Sequence, residues 1–529
     1  MNLNGIVKRS RTNKNQNSTS HVAVDQEVDY ISQVPDGILF YILSFLPFEY
    51  WIILGMVSRK WTYLLREAPI LILDEDYILI KMARSQLRHT LPGEVSIIGR
   101  HKKNKSRYIK FVDRTLLVHS GCLIKLMYLN FEYEPNNQND SMINNWVHFI
   151  MTRDIHDLVL NFSTNPKLNF ELKFLAVKLT KSKSTYELLD MPYEPKFRGL
   201  TLNSCKFKAS SFVAFSNLKS LHLSHVEVFD SSIGELVSKC PCLEDLHMDN
   251  CIVPESFFKC ENDLKLKKLC LINCLTESWY MFEIDISAPE LLSFLIRGKY
   301  LMTSTIRKAT KLVDSMVYIE QEFSDFQQGN LLAKFLIGMK HCKILTLSSW
   351  CIQVLSTIDY VLSYQLRGLL TNLKELNLSI GCSKQELPGM VTILQSCPYL
   401  ESLILEFDWI EDIYWMVDDR KVEHLPEVFH FEEEKYFETP KPYIRFLKNC
   451  LKDIQLKKYM GEENEIRIVK YLLQNALVLE DLVVYVNSSA DIYSEWQNYF
   501  IEFDEEMNWQ ELRDLPKAST NVKLYVLEN

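Results

Sequence analysis

Between Val34 and Trp61 the apolar positions recur at helical spacing. Pro35 stands where a helix can begin, and Asp36 occupies its first turn. Ile38, Leu39, Ile42, Leu43 and Leu46 then cover one broad face. Pro47 ends that helix and opens the next, because proline lacks a donor and clashes with a preceding turn. Tyr50, Trp51, Ile53, Leu54 and Val57 carry the pattern on, and Ser58-Arg59-Lys60-Trp61 leads into a third short helix. Roughly 30 residues cannot bury this many large side chains against each other, so part of the apolar surface must meet something else.

Farther along, the period changes. From about residue 110 one unit recurs: a helical segment, a polar or Cys-Pro turn, then L-x-x-L-x-L. One full copy places Pro241-Cys242 before Leu243, Leu246 and Met248; another places Cys397-Pro398 before Leu400, Leu403 and Leu405. Partial copies begin at Leu218, Leu266, Cys342 and Leu373, and weaker ones at Ile155 and Phe197. Leu218, Leu243 and Leu266 open successive copies, as do Leu373 and Leu400, at separations of 23 to 27 residues. That period falls in the leucine-rich-repeat range. The last two apolar positions lie on one side of a short strand and point inward. Cys205, Cys251 and Cys274 each follow the last apolar strand residue by three positions (Leu202, Met248 and Leu271). A small buried side chain suits the turn there, so these thiols read as structural. Residues 300–328 and the acidic stretch 411–438 fit the repeat poorly and read as insertions, and the basic run 101–107 reads as an exposed loop.

With 529 residues, 47% of them hydrophobic, the chain can bury a large core in more than one domain. A net charge of −9 argues against a general nucleic-acid binder. Only 15 glycines disfavour glycine-rich phosphate loops. No run of about 18 apolar residues predicts a membrane span, and the polar start has no signal-peptide core. The 13 cysteines are therefore expected as thiols in a reducing compartment, the nucleus and/or cytoplasm. Lys8-Arg9-Ser10-Arg11 reads as a weak import signal or as part of a solvated tail.

Catalytic chemistry finds no constellation. Cys240-Pro241-Cys242 has one intervening residue, not two, and no matching Cys/His pair follows. His222, His225 and His247 fall in or near repeat strands, and His222 reads as a partner contact or an exposed strand residue. Glu432-Glu433-Glu434 reads as a solvated loop, and Trp350 and Trp409 as buried packing. Nothing supports Cys351 as a nucleophile, and no G-x-S-x-G, H-E-x-x-H or phosphate-loop motif is present. No catalytic, metal or cofactor residue is assigned.

The order Val34-Pro35, Ile38-Leu39, Ile42-Leu43-Ser44, Leu46-Pro47 and Val57-Ser58-Arg59-Lys60-Trp61 resembles the F-box motif, with valine at position 34 where leucine is commoner. Phe111 to His119, Ala288-Pro289-Glu290-Leu291 and the C-terminal order Cys450 to Leu456, Gly461 to Glu465, Leu472-Leu473-Gln474-Asn475-Ala476 and Leu479 to Val484 resemble plant F-box/leucine-rich-repeat proteins with an FBD module. The resemblance implies an α/β fold: a short helical F-box followed by an irregular leucine-rich-repeat solenoid, with parallel strands on the concave face and helices on the convex face. It divides the chain into a disordered polar tail (1–28), the F-box (29–75), the solenoid with insertions (76–440) and an FBD-like module completing it (441–529). It also implies docking on a Skp-type adaptor of a cullin-RING ubiquitin ligase. The docking residues would be Val34, Pro35, Ile38, Leu39, Ile42, Leu43, Leu46, Pro47, Val57 and Trp61, with an unknown target protein on the repeats. A small-molecule co-receptor, a repeat scaffold without adaptor and an enzyme with an unrecognised site are the alternatives.

Overall fold

Each leucine-rich copy folds as one strand of a continuous sheet. The computed structural model describes residues 33–46, 48–55, 59–75, 97–120, 123–133, 137–162, 186–187, 196–208, 215–229, 232–276, 283–298, 304–319, 328–381, 386–407, 444–486 and 509–528. The chain divides into two units, Met1–Leu65 and Arg66–Asn529. In the larger unit the first strands are β1 (Ile70–Asp74), β2 (Leu123–Asn130), β3 (Asp154–Asn161), β4 (Gly199–Asn203) and β5 (Ser220–Ser224). Next come β6 (Asp245–Asp249), β7 (Lys268–Ile272), β8 (Ser293–Gly298), β9 (Asp314–Ile319) and β10 (Ile344–Leu347). The last are β11 (Glu375–Ile380), β12 (Ser402–Phe407), β13 (Asp453–Lys457), β14 (Asp481–Val486) and β15 (Lys523–Glu528). Among the described residues these 15 strands lie side by side in chain order, each parallel to the next.

Alternation explains both faces. Leu221, Leu223, Leu246, Met248, Leu269 and Leu271 are buried, and the residues between them form an open face. Neighbouring coils are also stitched at the strand entrance. The amides of Glu244, Lys267 and Leu292 donate to the carbonyls of Lys219, Glu244 and Lys267 at 2.7 to 2.9 Å.

The strand exits use a second backbone device. Ser204, His225, Asn250 and Asn273 have φ of 57°, 53°, 51° and 48°, in the left-handed region that asparagine tolerates well. This turn aims each of their amides at the next coil, onto the carbonyls of Ser224, Asp249, Ile272 and Arg297, at 2.7 to 3.0 Å. Cys251 and Cys274 follow directly, each about 1% exposed. Their thiols donate back to the carbonyls of Leu223 (3.3 Å) and Met248 (3.5 Å). Cys205 is fully buried at the same position. The corner cysteines are structural, and burial pushes the Cys205 thiol up to about 12.

Helices do not cover the whole back of the sheet. Tyr186–Glu187, Cys205–Phe207, Glu227–Val228, Ile252–Val253 and Leu275–Thr276 form a second parallel sheet, and Lys259–Asp263, Ile284–Ser287 and Ser304–Arg307 a third. The coils after Asn250 and Asn273 close with extended backs, whereas the coil between β5 and β6 also carries the helix Ile233–Lys239. Longer coils afterwards carry Gln328–Gly338, Ser349–Leu355 and Leu387–Ser396 as helices.

Two expectations change. The stretch 300–328 is not simply an insertion, because it contains Ser304–Arg307 and β9. Its repeat copy was masked by Ser315, which takes a leucine position and is 2% exposed, its hydroxyl 3.2 Å from Met339 Sδ. The basic run 101–107 lies in the helix Ile97–Val118 rather than a loop. Tyr108, Val112 and Leu116 bury one side of that helix. Lys105, 8% exposed, donates to the Glu132 carbonyl at 2.7 Å. The tail 1–28, the stretch 411–438, Glu432-Glu433-Glu434 and Trp409 lie outside the described residues.

The C-terminal element order is strand β13, a turn with Gly461 at φ 81°, the helix Glu463–Asn475, and strand β14. The G-x-x-x-E spacing has a physical origin. The buried Glu465 carboxylate accepts from the amides of Met460, Gly461 and Glu462 at 2.8 to 3.1 Å, closing the helix start.

Candidate functional site

The smaller unit carries three short helices: α1 (Asp36–Ser44), α2 (Phe48–Gly55) and α3 (Arg59–Arg66). Pro35, at φ −57° and ψ 143°, is the residue before the first turn, and its carbonyl accepts from the amides of Ile38 and Leu39 at 3.0 and 3.1 Å. Lys60 of α3 returns to this point. Its Nζ donates to the Val34 carbonyl at 2.8 Å and lies 3.4 Å from the Asp36 carboxylate.

Helix α1 is apolar on two sides, and the two sides have different fates. Leu39 and Leu43 are 1% and 2% exposed. Trp51 of α2 is buried with them and its indole donates to the Leu43 carbonyl at 2.7 Å, with its ring 6.3 Å from Phe40. The other side, Ile38, Tyr41, Ile42 and Phe45 at i, i+3, i+4 and i+7, remains 48 to 70% exposed. Leu46, Tyr50 and Tyr63 are exposed as well. A soluble helix normally turns such a stripe inward, and contiguous exposed apolar groups mark a docking surface.

The ten docking residues expected from the motif therefore separate. Pro35, Ile38, Ile42 and Leu46 are exposed; Val34 and Trp61 are half-buried; Leu39 and Leu43 are interior and hold the helices together. Pro47 and Val57 lie outside the described residues. Tyr41, Phe45 and Tyr63, which the motif reading did not name, are exposed as well. The helical spacing of Tyr41 and Phe45 with Ile38 and Ile42 was the signal available in the sequence; the two rings meet edge to face at 4.9 Å.

In the larger unit, His222 and His247 are paired in register on the open face, with ring centroids 5.4 Å apart. His222 Nε2 is 3.8 Å from Asp245. Burial, then the neighbouring His222, holds His247 below its ordinary value. Trp350 and Cys351 are buried. Among the described residues no His, Cys, Asp and Glu group of three or more is arranged to hold a metal ion, and no helix is long and apolar enough to cross a membrane.

Comparison with known proteins matches this division. The F-box domain model matches residues 31–72, and the model described as At1g61320/AtMIF1, LRR domain, matches residues 115–529. The Arabidopsis thaliana F-box/FBD/LRR-repeat protein At1g78750 is similar at 24% identity, across 95% of this chain and 97% of the relative. F-box/LRR-repeat protein 13 of the same plant is 23% identical across 95% and 97%. F-box/FBD/LRR-repeat protein At2g26030 is 22% identical across 89% and 96%. With an F-box model and a repeat model matching in that order over most of its length, the chain belongs to the plant F-box/leucine-rich-repeat family.

Proposed function

We propose that this protein is the substrate-recognition subunit of an SCF-type ubiquitin ligase. One observation carries the reading: within the F-box match, α1 turns Ile38, Tyr41, Ile42 and Phe45 outward while Leu39, Leu43 and Trp51 fill the interior. A Skp-type adaptor covers that stripe and links the chain to a cullin-RING assembly. The open sheet face holds a target protein. Other subunits transfer ubiquitin, and this chain contributes proximity rather than bond chemistry. The described cysteines are free thiols, which supports work in the nucleus and/or cytoplasm.

The test is co-purification of the full chain with a plant Skp-type adaptor, beside Ile38→Asp/Ile42→Asp. Both positions are exposed, so the variant keeps its melting temperature while losing the adaptor. A folded wild-type chain that fails to co-elute would overturn the ligase reading.

A further inference from the structure

The helix Ile97–Val118 concentrates positive charge. It holds seven lysines and arginines and one acid, a charge of +6 in a chain whose net charge is −9, leaving −15 on the rest. Tyr108, Val112 and Leu116 bury its inner side, and Lys105 turns in to the Glu132 carbonyl. Arg107, Lys110 and Arg114, at i, i+3 and i+7, are exposed on the opposite side. Lys103 precedes them at the same helical spacing, so the cationic line runs about 16 Å along the helix from its position to that of Arg114.

The fold supplies these charges with no counterpart. On other helices Lys239 and Arg467 show the usual remedy, an acid one turn away at Glu235 and Glu463. Among the described residues Arg107, Lys110 and Arg114 make no ion pair and no hydrogen bond. The one acid of the helix, Asp113, accepts from the Trp146 indole at 2.6 Å. Trp146 belongs to the neighbouring helix Asn137–Met151, whose one acid, Asp140, accepts from the Tyr133 hydroxyl at 2.6 Å. Like charges three and four residues apart repel along a helix, so anions from outside would relieve this line.

A second observation lies at its end. Leu117, three residues after Arg114, is 83% exposed, the most exposed leucine among the described residues. Val118 and Leu123, where the chain turns into β2, are exposed as well. The outer face therefore offers a line of cations closed by an apolar group.

Charge and size select the occupant. Membrane surfaces and nucleic acids are extended polyanions, and beyond the Debye length of about 8 Å they would meet the repulsion of the acidic remainder. A short acidic segment stays within the line. Carboxylates at three- and four-residue spacing on a helix meet each cation in turn, and an apolar residue one step farther meets the leucine. From this complementarity we infer that the outer face of the helix Ile97–Val118 docks an acidic helical segment of a partner protein, its carboxylates against Arg107, Lys110 and Arg114 and an apolar side chain against Leu117. This face belongs to the crossover between β1 and β2, not to the open sheet face, so the inference stands apart from target capture there.

The test uses the full chain and labelled fifteen-residue alanine-based peptides followed by fluorescence anisotropy. The first has glutamates at its first, fifth, eighth and twelfth positions and a terminal leucine; the second has glutamines in their place; the third has the four glutamates contiguous. The first is expected to bind about tenfold tighter than either control, with affinity falling as salt rises. Arg107→Gln/Lys110→Gln/Arg114→Gln weakens it about tenfold, while Lys311→Gln/Lys374→Gln/Arg467→Gln, with the same change in charge, does not. Leu117→Ser weakens it about threefold. Melting curves and single Arg114→Gln guard against misfolding. Equal loss in both triple variants, equal binding of the three peptides, no binding of the first, or tighter binding to phosphatidylserine vesicles or duplex DNA than to that peptide would each overturn the inference. Adaptor co-elution from the same preparations reports separately on the ligase reading, and a chain that binds adaptor but no peptide loses only this inference.

Discussion

Phe45→Ala is the substitution that measures the docking stripe. Phe45 is 70% exposed, and a phenylalanine buries about 150–250 Å² when fully covered. About 100–175 Å² thus remains for a partner, worth about 2.5–4 kcal/mol at ~25 cal/mol per Å². Incomplete coverage reduces this to about 1.5–3 kcal/mol, or roughly a 10- to 150-fold weaker Kd. The lost edge contact with Tyr41 costs helix α1 only about 0.2–0.5 kcal/mol. Leu43, 2% exposed, is the contrast: Leu43→Ala opens a cavity and costs about 2–5 kcal/mol of folding stability. Titration calorimetry against purified adaptor, paired with thermal melts, separates the two. Phe45→Ala should weaken binding without moving the melt. Leu43→Ala should move the melt and recover its binding on cooling. An affinity for Phe45→Ala within about twofold of wild type would refute the assignment of this stripe to the adaptor.

Three further outcomes are expected. Gly389→Ala puts a Cβ 1.8 Å from the Ile352 carbonyl oxygen, where ordinary contact begins near 3.4 Å; the two helices must part, and urea unfolding should show a loss of about 2–4 kcal/mol, so a change below about 0.5 kcal/mol would defeat the close-packing argument. Burial holds His119 below its ordinary value; its Nε2 sits 3.0 Å from the Ala68 carbonyl and its Nδ1 has no partner among the described residues. The unfolded chain therefore takes up this proton first as pH drops below about 6.5, so stability is full above that pH and lost as pH falls toward the folded value. Wild type should lose more melting temperature than His119→Asn between pH 7.5 and 5.5, and equal losses would count against the idea. Iodoacetamide at pH 7.5 should label exposed Cys242 in the native chain but reach Cys205 and Cys342, both pushed up to about 12 by burial, only after denaturation. Fast native labelling of Cys205 would contradict its structural role.

Much of this architecture was legible in residue order. The leucine spacing gave the strands, because Leu246 and Met248 share one face at period two while Leu243 is buried just before the strand. The corner cysteines followed from size and position. Ser315 hid strand β9, since a serine in a leucine position breaks the pattern without breaking the ladder. The charged residues 101–107 suggested solvent, but burial of Tyr108, Val112 and Leu116 ties the continuing helix to the core. In the smaller unit the motif spacing placed helix α1 but merged its buried and exposed sides. Leu39 and Ile38 are neighbours in sequence and project about 100° apart around the helix, and only packing against Trp51 shows which is interior.

The left-handed corners at Ser204, His225, Asn250 and Asn273 also determine how such a chain can vary in length. Each of these four coils presents one amide and one carbonyl at this corner, in the same geometry. Duplicating or deleting an entire coil leaves every such partnership intact, whereas half a coil strands an amide opposite the wrong neighbour. Length therefore changes in whole steps. Each step slides the residue pattern of the open face by one strand spacing, about 4.8 Å, so that surface lengthens by discrete increments rather than continuously.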